Sequence, residues 1–317
     1  MAEIAVELSA AIIAVSGDRP RVLTVAQPQD RPALPCGPFE PAVDATIERG
    51  VRRWVREQTQ LELGYVEQLY TFGDRFRDPR EHRGGPRVLS LGYLALVRMP
   101  ADAASREAGV WRDWYDFFPW ENRRAGALLH ERTIRAKLTR WAQSVQARTE
   151  RARRRERIEM AFGFSRRAWS PEATLERYEL LYEAKLVAEA DGRAGSELGA
   201  PMALDHRRIL ATAMSRLRGK ITYRPVIFEL VPETFTLREL QRTAEALAGV
   251  KLHTANFRRL VESEGLVERT GEQARATGGR PAAAFRFRRE LLLERPRPGS
   301  RGPQPKAGFR RSNSHNE

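Results

Sequence analysis

The sequence predicts an α+β fold that ends in a winged helix-turn-helix, and three observations lead to this class. Residues 1–100 follow the order strand, strand, helix, strand, strand. Residues 121–200 have mainly helical patterns, and from residue 205 onward the order becomes helix, helix and hairpin. We therefore expect a first domain at 1–204 with a helical insertion at about 121–200, a second domain at 205–290, and a tail at 291–317.

The first hundred residues contain four strand patterns and one helix pattern. Two β-rich runs, 6–16 and 21–27, flank a Gly-Asp-Arg-Pro turn and so predict an antiparallel hairpin. Two later apolar runs, 65–74 and 87–97, have strand length and flank a polar loop. Between the two pairs, apolar residues recur at helical spacing, which predicts a helix with one buried face. These residues are Ile47, Val51, Trp54, Val55 and Leu61.

The middle of the chain is predicted to be helical and basic. The aromatic segment 111–124 is expected to pack in the core, and a long helical stretch is expected over 128–162. The arginine run in that stretch is either a solvated helix face, which we favour, or a surface that faces DNA. A Ser-Pro pair at 170–171 marks the start of another helix, and the glycine-rich residues 191–202 predict a loop.

The C-terminal region has strong local signals. Residues 205–221 form an amphipathic helix pattern, and Thr236 followed by Glu239 is a capping box that opens a helix ending at Gly249. A second short helix ends at Gly265, and two β-rich runs then flank a basic, glycine-rich loop. Helix, short turn, helix and hairpin is the order of a winged helix-turn-helix.

A DNA-binding role for this module would rest on its second helix. The start of a recognition helix reaches base edges in the major groove, where Asn pairs with adenine and Arg with guanine. The predicted reading residues are Thr254, Asn256, Arg258 and Arg259, with Phe257, Leu260 and Val261 facing the core. The predicted wing contacts to phosphates or the minor groove are Arg275, Arg280 and Arg286. The alternative is a winged helix that contacts protein.

The charge of the chain is unevenly distributed. The net charge is +14, yet residues 1–120 carry 15 Lys and Arg against 17 Asp and Glu. Residues 205–290 carry 17 basic against 10 acidic residues. This asymmetry indicates a polyanionic partner for the C-terminal half, although free use of arginine in a GC-rich genome would give a similar excess.

The composition also argues against several classes of protein. No run of about 18 apolar residues occurs, so no membrane span is expected. The N-terminal residues lack the features of a signal peptide, and the single cysteine, Cys36, cannot form an intrachain disulfide. A cytoplasmic protein is expected. Residues 291–317 are rich in Pro, Gly and Arg, which predicts a disordered basic tail.

The segment from Gly37 to Leu61 resembles the Nudix box, G-x5-E-x7-R-E-U-x-E-E-x-G-U, where U is aliphatic. Arg53 and Glu57 match the box, as do the aliphatic residues at 55 and 61. Trp54 and Gln58 stand where metal-binding glutamates belong, Gln60 replaces the glycine, and the upstream spacing is two residues too long. The box needs carboxylates on one helix face to hold Mg²⁺ against a diphosphate. We therefore expect no metal and no hydrolase activity, with a relocated site at Asp74, Asp78 or Glu81 left open.

A wider resemblance covers the C-terminal region. Residues 205–287 resemble the Nudix-related transcriptional regulators of NAD metabolism, the NrtR type, and in particular their alphaproteobacterial NadQ group. The resemblance implies a Nudix-like α/β/α sandwich with a helical insertion, followed by the winged helix. It also implies a homodimeric repressor that binds a double-stranded DNA operator and senses NAD, ADP-ribose or ATP.

The residue types suggest where such a ligand would bind. The predicted ligand-binding residues are Arg49, Arg53, Arg56, Glu57, Arg75 and Arg77, although ordinary surface arginines would have the same pattern. Two other functions remain open from the sequence. One is a Nudix-type hydrolase with a tethered nucleic-acid module, and the other is an architectural or RNA-binding protein that uses the basic helix and tail.

Overall fold

The N-terminal half is built on one six-stranded mixed sheet. The computed structural model describes residues 3–26, 31–100, 109–126, 129–165, 167–191, 197–221, 225–274 and 282–288. The strand order is β4-β5-β1-β2-β6, and β3 also pairs with β1. The strands are β1 (Ile4–Ser16), β2 (Arg19–Thr24), β3 (Cys36–Pro38), β4 (Tyr65–Phe72), β5 (Arg87–Leu96) and β6 (Val110–Asp113).

The helices lie on both faces of this sheet and continue into the C-terminal domain. One turn-length helix, α2 (Trp114–Phe117), follows β6 directly. The others are α1 (Ile47–Thr59), α3 (Leu129–Gln143), α4 (Arg148–Phe162), α5 (Thr174–Glu183), α6 (Ala188–Asp191), α7 (His206–Ile221), α8 (Leu237–Ala248) and α9 (Thr254–Ser263). None of the helices in the described residues is both long and apolar enough to cross a bilayer.

The side chains of β1 alternate between two cores, because successive residues of a strand point to opposite faces. Ile12 packs with Val51 and Val55 of α1 on one face. Ile13 packs with Ile209 of α7 in the larger core on the other face. The result is the predicted α/β/α sandwich, and the predicted β1–β2 hairpin is confirmed by the pairing of Ile13 with Val22.

Two sequence-based assignments were wrong in detail. The stretch 128–162, predicted as one helical run, is two helices that pack against each other across a break at 144–147. At the break, the Ser144 hydroxyl donates to the Trp141 carbonyl at 2.8 Å and competes with the helix hydrogen bonds. The turn-rich segment after residue 31 contains β3, whose backbone pairs with residues 7–9 of β1.

The C-terminal domain is a winged helix with the predicted element order. Thr236 accepts from the amide of Glu239 at 3.1 Å, and the Glu239 carboxylate accepts from the amide of Thr236 at 2.7 Å. Helix α8 ends at Gly249, whose φ of 74° is in the left-handed region that glycine adopts without strain. Strands β7 (Thr234–Phe235), β8 (Val267–Ala274) and β9 (Ala282–Phe287) form the sheet of the wing.

Helix α7 joins the two halves through a shared core. Its predicted apolar face is buried, and one continuous hydrophobic cluster runs from β1 through α7 to Phe285 of β9. Buried positions on α7 include Ile209, Leu210, Ala213 and Leu217. The division at 204/205 remains a prediction, because packing is continuous there. The predicted tail, 291–317, lies outside the described residues.

A fully buried charge cluster connects the helical region to both halves. Glu121 accepts from Arg177 of α5 at 2.6 and 2.7 Å and also pairs with Arg218 of α7. Arg218 donates in turn to the carbonyl of Leu247, at the end of α8, at 2.8 Å. Burial alone would raise the pKa of Glu121, but the two guanidinium groups outweigh it and hold that pKa below its usual value.

Candidate nucleic-acid interface and ligand cavity

Helix α9 presents a polar face to solvent at the position of a recognition helix. Thr254, Asn256, Arg258 and Arg259 are all exposed, as a surface that reads DNA requires. Arg259 donates to the amide oxygen of Asn256 at 2.7 Å, so two of the predicted reading side chains lie together. The short helix is therefore positioned by its apolar side and free on its polar side.

The apolar side of α9 is narrower than predicted. Val261 is buried and Phe257 is half-buried. The two residues are four apart and therefore lie on the same face of the helix. Leu260, which was predicted to face the core, is 58% exposed, so that prediction was wrong. Its position four residues after Asn256 puts it beside the polar face instead.

The predicted wing contacts are only partly within the described structure. Arg275 and Arg280 lie outside the described residues. Arg286 pairs with Glu268 across the β8–β9 hairpin at 2.5 Å, so part of its guanidinium group is engaged within the wing. The wing contribution therefore remains a prediction.

In the helix that resembles the Nudix box, Arg53 forms contacts with the loop that precedes the helix. Arg53 makes a bidentate contact with Asp44 at 2.9 Å through both oxygens, and its side chain also approaches Glu40 and Glu57 at 3.3 and 3.5 Å. The hydrogen bond to Asp44 raises the pKa of Arg53 further above its usual value. Arg53 thus fastens the loop before α1 to the helix.

Trp54 fills space beside the loop. A Cβ atom on Gly37 would lie 2.3 Å from the Trp54 ring, so the glycine allows the close approach of backbone and indole. The indole N–H donates to the Pro38 carbonyl at 2.7 Å. At the box position of a metal-binding glutamate, this chain therefore has a packing contact.

Gln58 uses both ends of its amide on the same loop. Its oxygen accepts from the amide of Cys36 at 3.1 Å, and its nitrogen donates to the Cys36 carbonyl at 2.7 Å. A glutamate could make the first bond but not the second. Gln58 is therefore a structural clamp on β3.

We expect Gln58→Glu to destabilise the protein by about 1–3 kcal/mol, because a carboxylate oxygen would face the Cys36 carbonyl without a hydrogen bond. Urea denaturation at neutral pH would measure this loss. The matched control is Gln143→Glu, at an exposed position, which should change stability by less than about 0.5 kcal/mol. Equal stability of both variants would contradict the clamp.

The alternative carboxylates for a relocated metal site are engaged separately. Asp74 pairs with Arg208, and Asp78 accepts from Arg80 at 2.8 and 2.9 Å. Glu81 accepts from the amide of Phe76. Each carboxylate has its own partner, so the three do not present a shared set of free ligands.

A polar trio, of which only His206 is fully buried, lies between the sheet and the start of α7. The Glu7 carboxylate, the Cys36 thiol and the His206 imidazole lie within 4.8 Å of one another. The amide of Leu34 donates to His206 Nδ1 at 3.0 Å, which assigns the imidazole proton to Nε2. With one nitrogen accepting and the other protonated, the imidazole has no free lone pair for a metal ion. His206 Nε2 and Glu7 Oε1 have no hydrogen-bond partner among the described residues.

The burial of His206 predicts that the free energy of unfolding depends on pH. Burial lowers the pKa of His206 to about 4. A lowered folded-state pKa gives stability that is fully present above the usual value near 6.5 and is lost as pH falls toward 4, by about 3 kcal/mol in total. Burial raises the pKa of Glu7, which offsets part of the loss at the acidic end. Denaturation from pH 7 to 4 would measure it. In His206→Asn, which retains an acceptor for Leu34, the slope should flatten.

A cavity of about 480 Å³ opens beside this trio. Its walls come from the loop after β4, from α5 and from the start of α7. Cavities of this size are typical of small-molecule sites. Arg77 donates to Asp205 at 2.9 and 2.5 Å, and Arg208 donates to Glu179 at 3.0 and 2.8 Å. The cavity therefore has arginines from two separate elements.

The structure separates the predicted ligand-binding residues into two groups. Arg75 and Arg77 line the cavity. Arg49, Arg53, Arg56 and Glu57 lie on α1, outside its lining, and Arg56 pairs with Glu62 at 2.6 Å. Sequence reasoning missed Tyr178, Tyr182 and Arg208, which also line the cavity, because nothing in the insertion pattern indicated which helix face the cavity would use.

The C-terminal domain matches a known family. Residues 227–287 match the NrtR DNA-binding winged helix domain. An 86-residue region is 40% identical to the protein named ADPR responsive transcriptional repressor NtrR from Acinetobacter baylyi. This region is 27% of the chain and spans about a third (34%) of that relative. Residues 227–287 are therefore similar to the winged helix domain of NrtR proteins.

The whole fold is similar to solved structures. Shewanella oneidensis NrtR complexed with a 27mer DNA matches with a TM-score of 0.55 and 22% identity over 89% of this chain and 93% of that one. A MutT/nudix family protein from Enterococcus faecalis matches with a TM-score of 0.54 and 16% identity over 91% and 88%. The chain therefore has a Nudix-like domain followed by a winged helix domain.

Proposed function

We propose that this chain is a cytoplasmic transcriptional repressor of NAD biosynthesis genes, which binds duplex DNA as a homodimer and responds to a nucleotide. The observation that carries the proposal is the exposed face of α9, with Thr254, Asn256, Arg258 and Arg259, within a domain of the NrtR DNA-binding type. The excess of basic residues in 205–290 supports the same partner, because phosphate contacts supply most of the affinity for DNA.

In the proposed complex, α9 lies in the major groove and the wing arginines, Arg275 and Arg280, contact the phosphates or the minor groove. Asn256 and Arg258 have the donors and acceptors to read adenine and guanine. Two winged helices in a dimer would meet half-sites about one or two turns of DNA apart.

The effector is proposed to be ADP-ribose, NAD or ATP. The Acinetobacter baylyi relative is named as ADPR-responsive, which puts ADP-ribose first. The residues of α1 do not fit a Nudix metal site, since Trp54 packs on Gly37 and Gln58 is bonded to Cys36. We therefore propose that the domain binds its nucleotide without Mg²⁺ and without hydrolysis.

The test is selection of preferred sequences from a random duplex pool, followed by fluorescence anisotropy against scrambled duplex and RNA at fixed salt. We expect a selected site to bind at least 10³-fold more tightly than scrambled DNA, and ADP-ribose, NAD or ATP to change that affinity. Equal affinity for all duplexes and for RNA would refute the proposal.

The hydrolase alternative needs its own assay. ADP-ribose and NAD would be incubated with the protein and Mg²⁺, and the products measured against a no-protein control. We expect no turnover. Clear Mg²⁺-dependent hydrolysis would refute the proposed lack of catalysis.

A further inference from the structure

We propose that the cavity between the loop at 73–82 and helices α5 and α7, here called the loop–helix cavity, binds the diphosphate and base of a nucleotide. The inference rests on the proposed function, because it takes this ligand to be the effector. It differs from a site on the Nudix-like helix α1, since α1 contributes none of the cavity lining.

The cationic side of the loop–helix cavity suits a diphosphate. Arg31, Arg75, Arg77 and Arg208 all line it, and guanidinium groups bind phosphate oxygens in bidentate fashion. The Arg77 side chain is 2% exposed, and its Nη1 has no hydrogen-bond partner among the described residues. A buried, unsatisfied donor is costly, so this atom marks a place where an acceptor is needed.

The aromatic side suits a base. Both Tyr178 and Tyr182 of α5 line the cavity, but Tyr178 is 2% exposed, so Tyr182, at 47%, is the ring available to a base. On the loop, Phe76 stacks on His82 with ring centroids 4.5 Å apart. Phe76 has a φ of 63°, a left-handed conformation that is rare for a bulky residue and is often found at ligand sites. The lining thus combines aromatic rings with arginines, the two kinds of partner that a nucleotide needs.

Two of the cavity arginines, Arg77 and Arg208, are paired with carboxylates of very different exposure. Arg208 pairs with Asp74 and Glu179, which are 67% and 44% exposed and can rotate into water. Arg77 pairs with Asp205, which is only 19% exposed. A diphosphate would therefore displace Asp74 and Glu179 from Arg208, while the Arg77–Asp205 pair holds the loop against α7.

This exchange has a direct route to the DNA-binding domain. Arg208 lies in the first turn of α7, and Arg218 at the other end of the same helix bonds to the Leu247 carbonyl of α8. A change in the contacts of Arg208 would therefore act on the same helix that contacts α8. Ligand binding would then shift the position of α8 and, through it, of α9.

The experiment is isothermal titration of the full chain with ADP-ribose, NAD and ATP, using Arg208→Gln and Tyr182→Ala. The matched control is Arg216→Gln, which removes the same charge from the same helix outside the cavity, where Arg216 pairs with Glu67 at 3.4 Å. We expect Arg208→Gln to weaken binding by about ten- to a hundredfold, as for loss of a charge-assisted hydrogen bond, and Arg216→Gln by less than about threefold.

Other results would overturn the assignment. The proposal fails if none of the three nucleotides binds the wild-type chain at millimolar concentration. It also fails if folded Arg208→Gln and Tyr182→Ala bind as the wild type does, or if the double variant Arg49→Gln/Arg56→Gln loses binding instead. Loss of binding in Arg49→Gln/Arg56→Gln would place the ligand on α1.

The proposed function can fail separately. DNA affinity of the control variant Arg216→Gln, which lies outside the cavity, should equal that of the wild type with and without nucleotide. If nucleotide binds in the loop–helix cavity but no duplex is preferred, the ligand site stands and the repressor role falls. If a duplex is preferred but no nucleotide binds, the ligand site falls and only the DNA-binding part of the proposed function stands.

Discussion

Replacing Glu121 by alanine is expected to lower the free energy of unfolding by about 3–5 kcal/mol, the largest effect that the structure predicts for a single residue. Glu121, Arg177 and Arg218 are all fully buried, so removing the carboxylate leaves two guanidinium groups without a counter-charge. Urea or guanidinium denaturation followed by circular dichroism would measure the loss, if the transition is two-state.

The matched control for this prediction is Glu183→Ala. Glu183 also pairs with an arginine, Arg157, but both side chains are well exposed to water. A surface pair contributes about 0–1 kcal/mol, so the control should stay close to wild type. A loss below about 1 kcal/mol in Glu121→Ala as well would mean that the cluster is hydrated and does not join the helical region to α7.

The second large effect is expected on DNA binding. Changing Asn256 and Arg258 together to alanine should cost about 2–6 kcal/mol at the selected duplex, since each base contact contributes about 1–3 kcal/mol. Both side chains are exposed, so the fold should be retained and the melting temperature should change little. Affinity for scrambled duplex should fall much less than affinity for the selected one. Fluorescence anisotropy on both duplexes would measure this.

A control for charge distinguishes base recognition by α9 from non-specific attraction between DNA and positively charged residues. Arg155→Ala removes one positive charge from the exposed, basic helix α4. It should leave the preference for the selected duplex unchanged. If Arg155→Ala weakened binding as much as the α9 variant did, with no change in preference, the basic helix would be the main DNA contact and α9 would not be the recognition helix.

The winged helix could be predicted from sequence because its signals are local. The capping box of Thr236 and Glu239 and the stop at Gly249 are formed by residues a few positions apart, and the structure has both. The exposure of Leu260 could not be predicted in this way, because helical spacing shows which residues share a face but not how wide the buried part of that face is. Only the amount of protein packed against α9 decides that width.

In the Nudix-like helix, some features follow from the sequence and others only from the tertiary structure. The sequence by itself determined that Trp54 and Gln58 stand at positions where the Nudix box has carboxylates, because residue identity needs no structure. Only the tertiary structure decided what they do instead, through the close approach of Trp54 to Gly37 and the two hydrogen bonds of Gln58 to Cys36. Those contacts join a helix to a loop about 20 residues away in sequence.

The loop–helix cavity lay beyond reach of sequence reasoning for a physical reason. Its arginines and tyrosines come from segments that include Arg31, the loop after β4, α5 and the start of α7. Element type follows from periodicity within each segment, and the sequence determined these elements. The distance between Arg75 and Tyr182, or between Arg77 and Asp205, follows from how the helical region packs on the sheet. That packing depends on the whole core, so the tertiary structure alone decided where a ligand could bind.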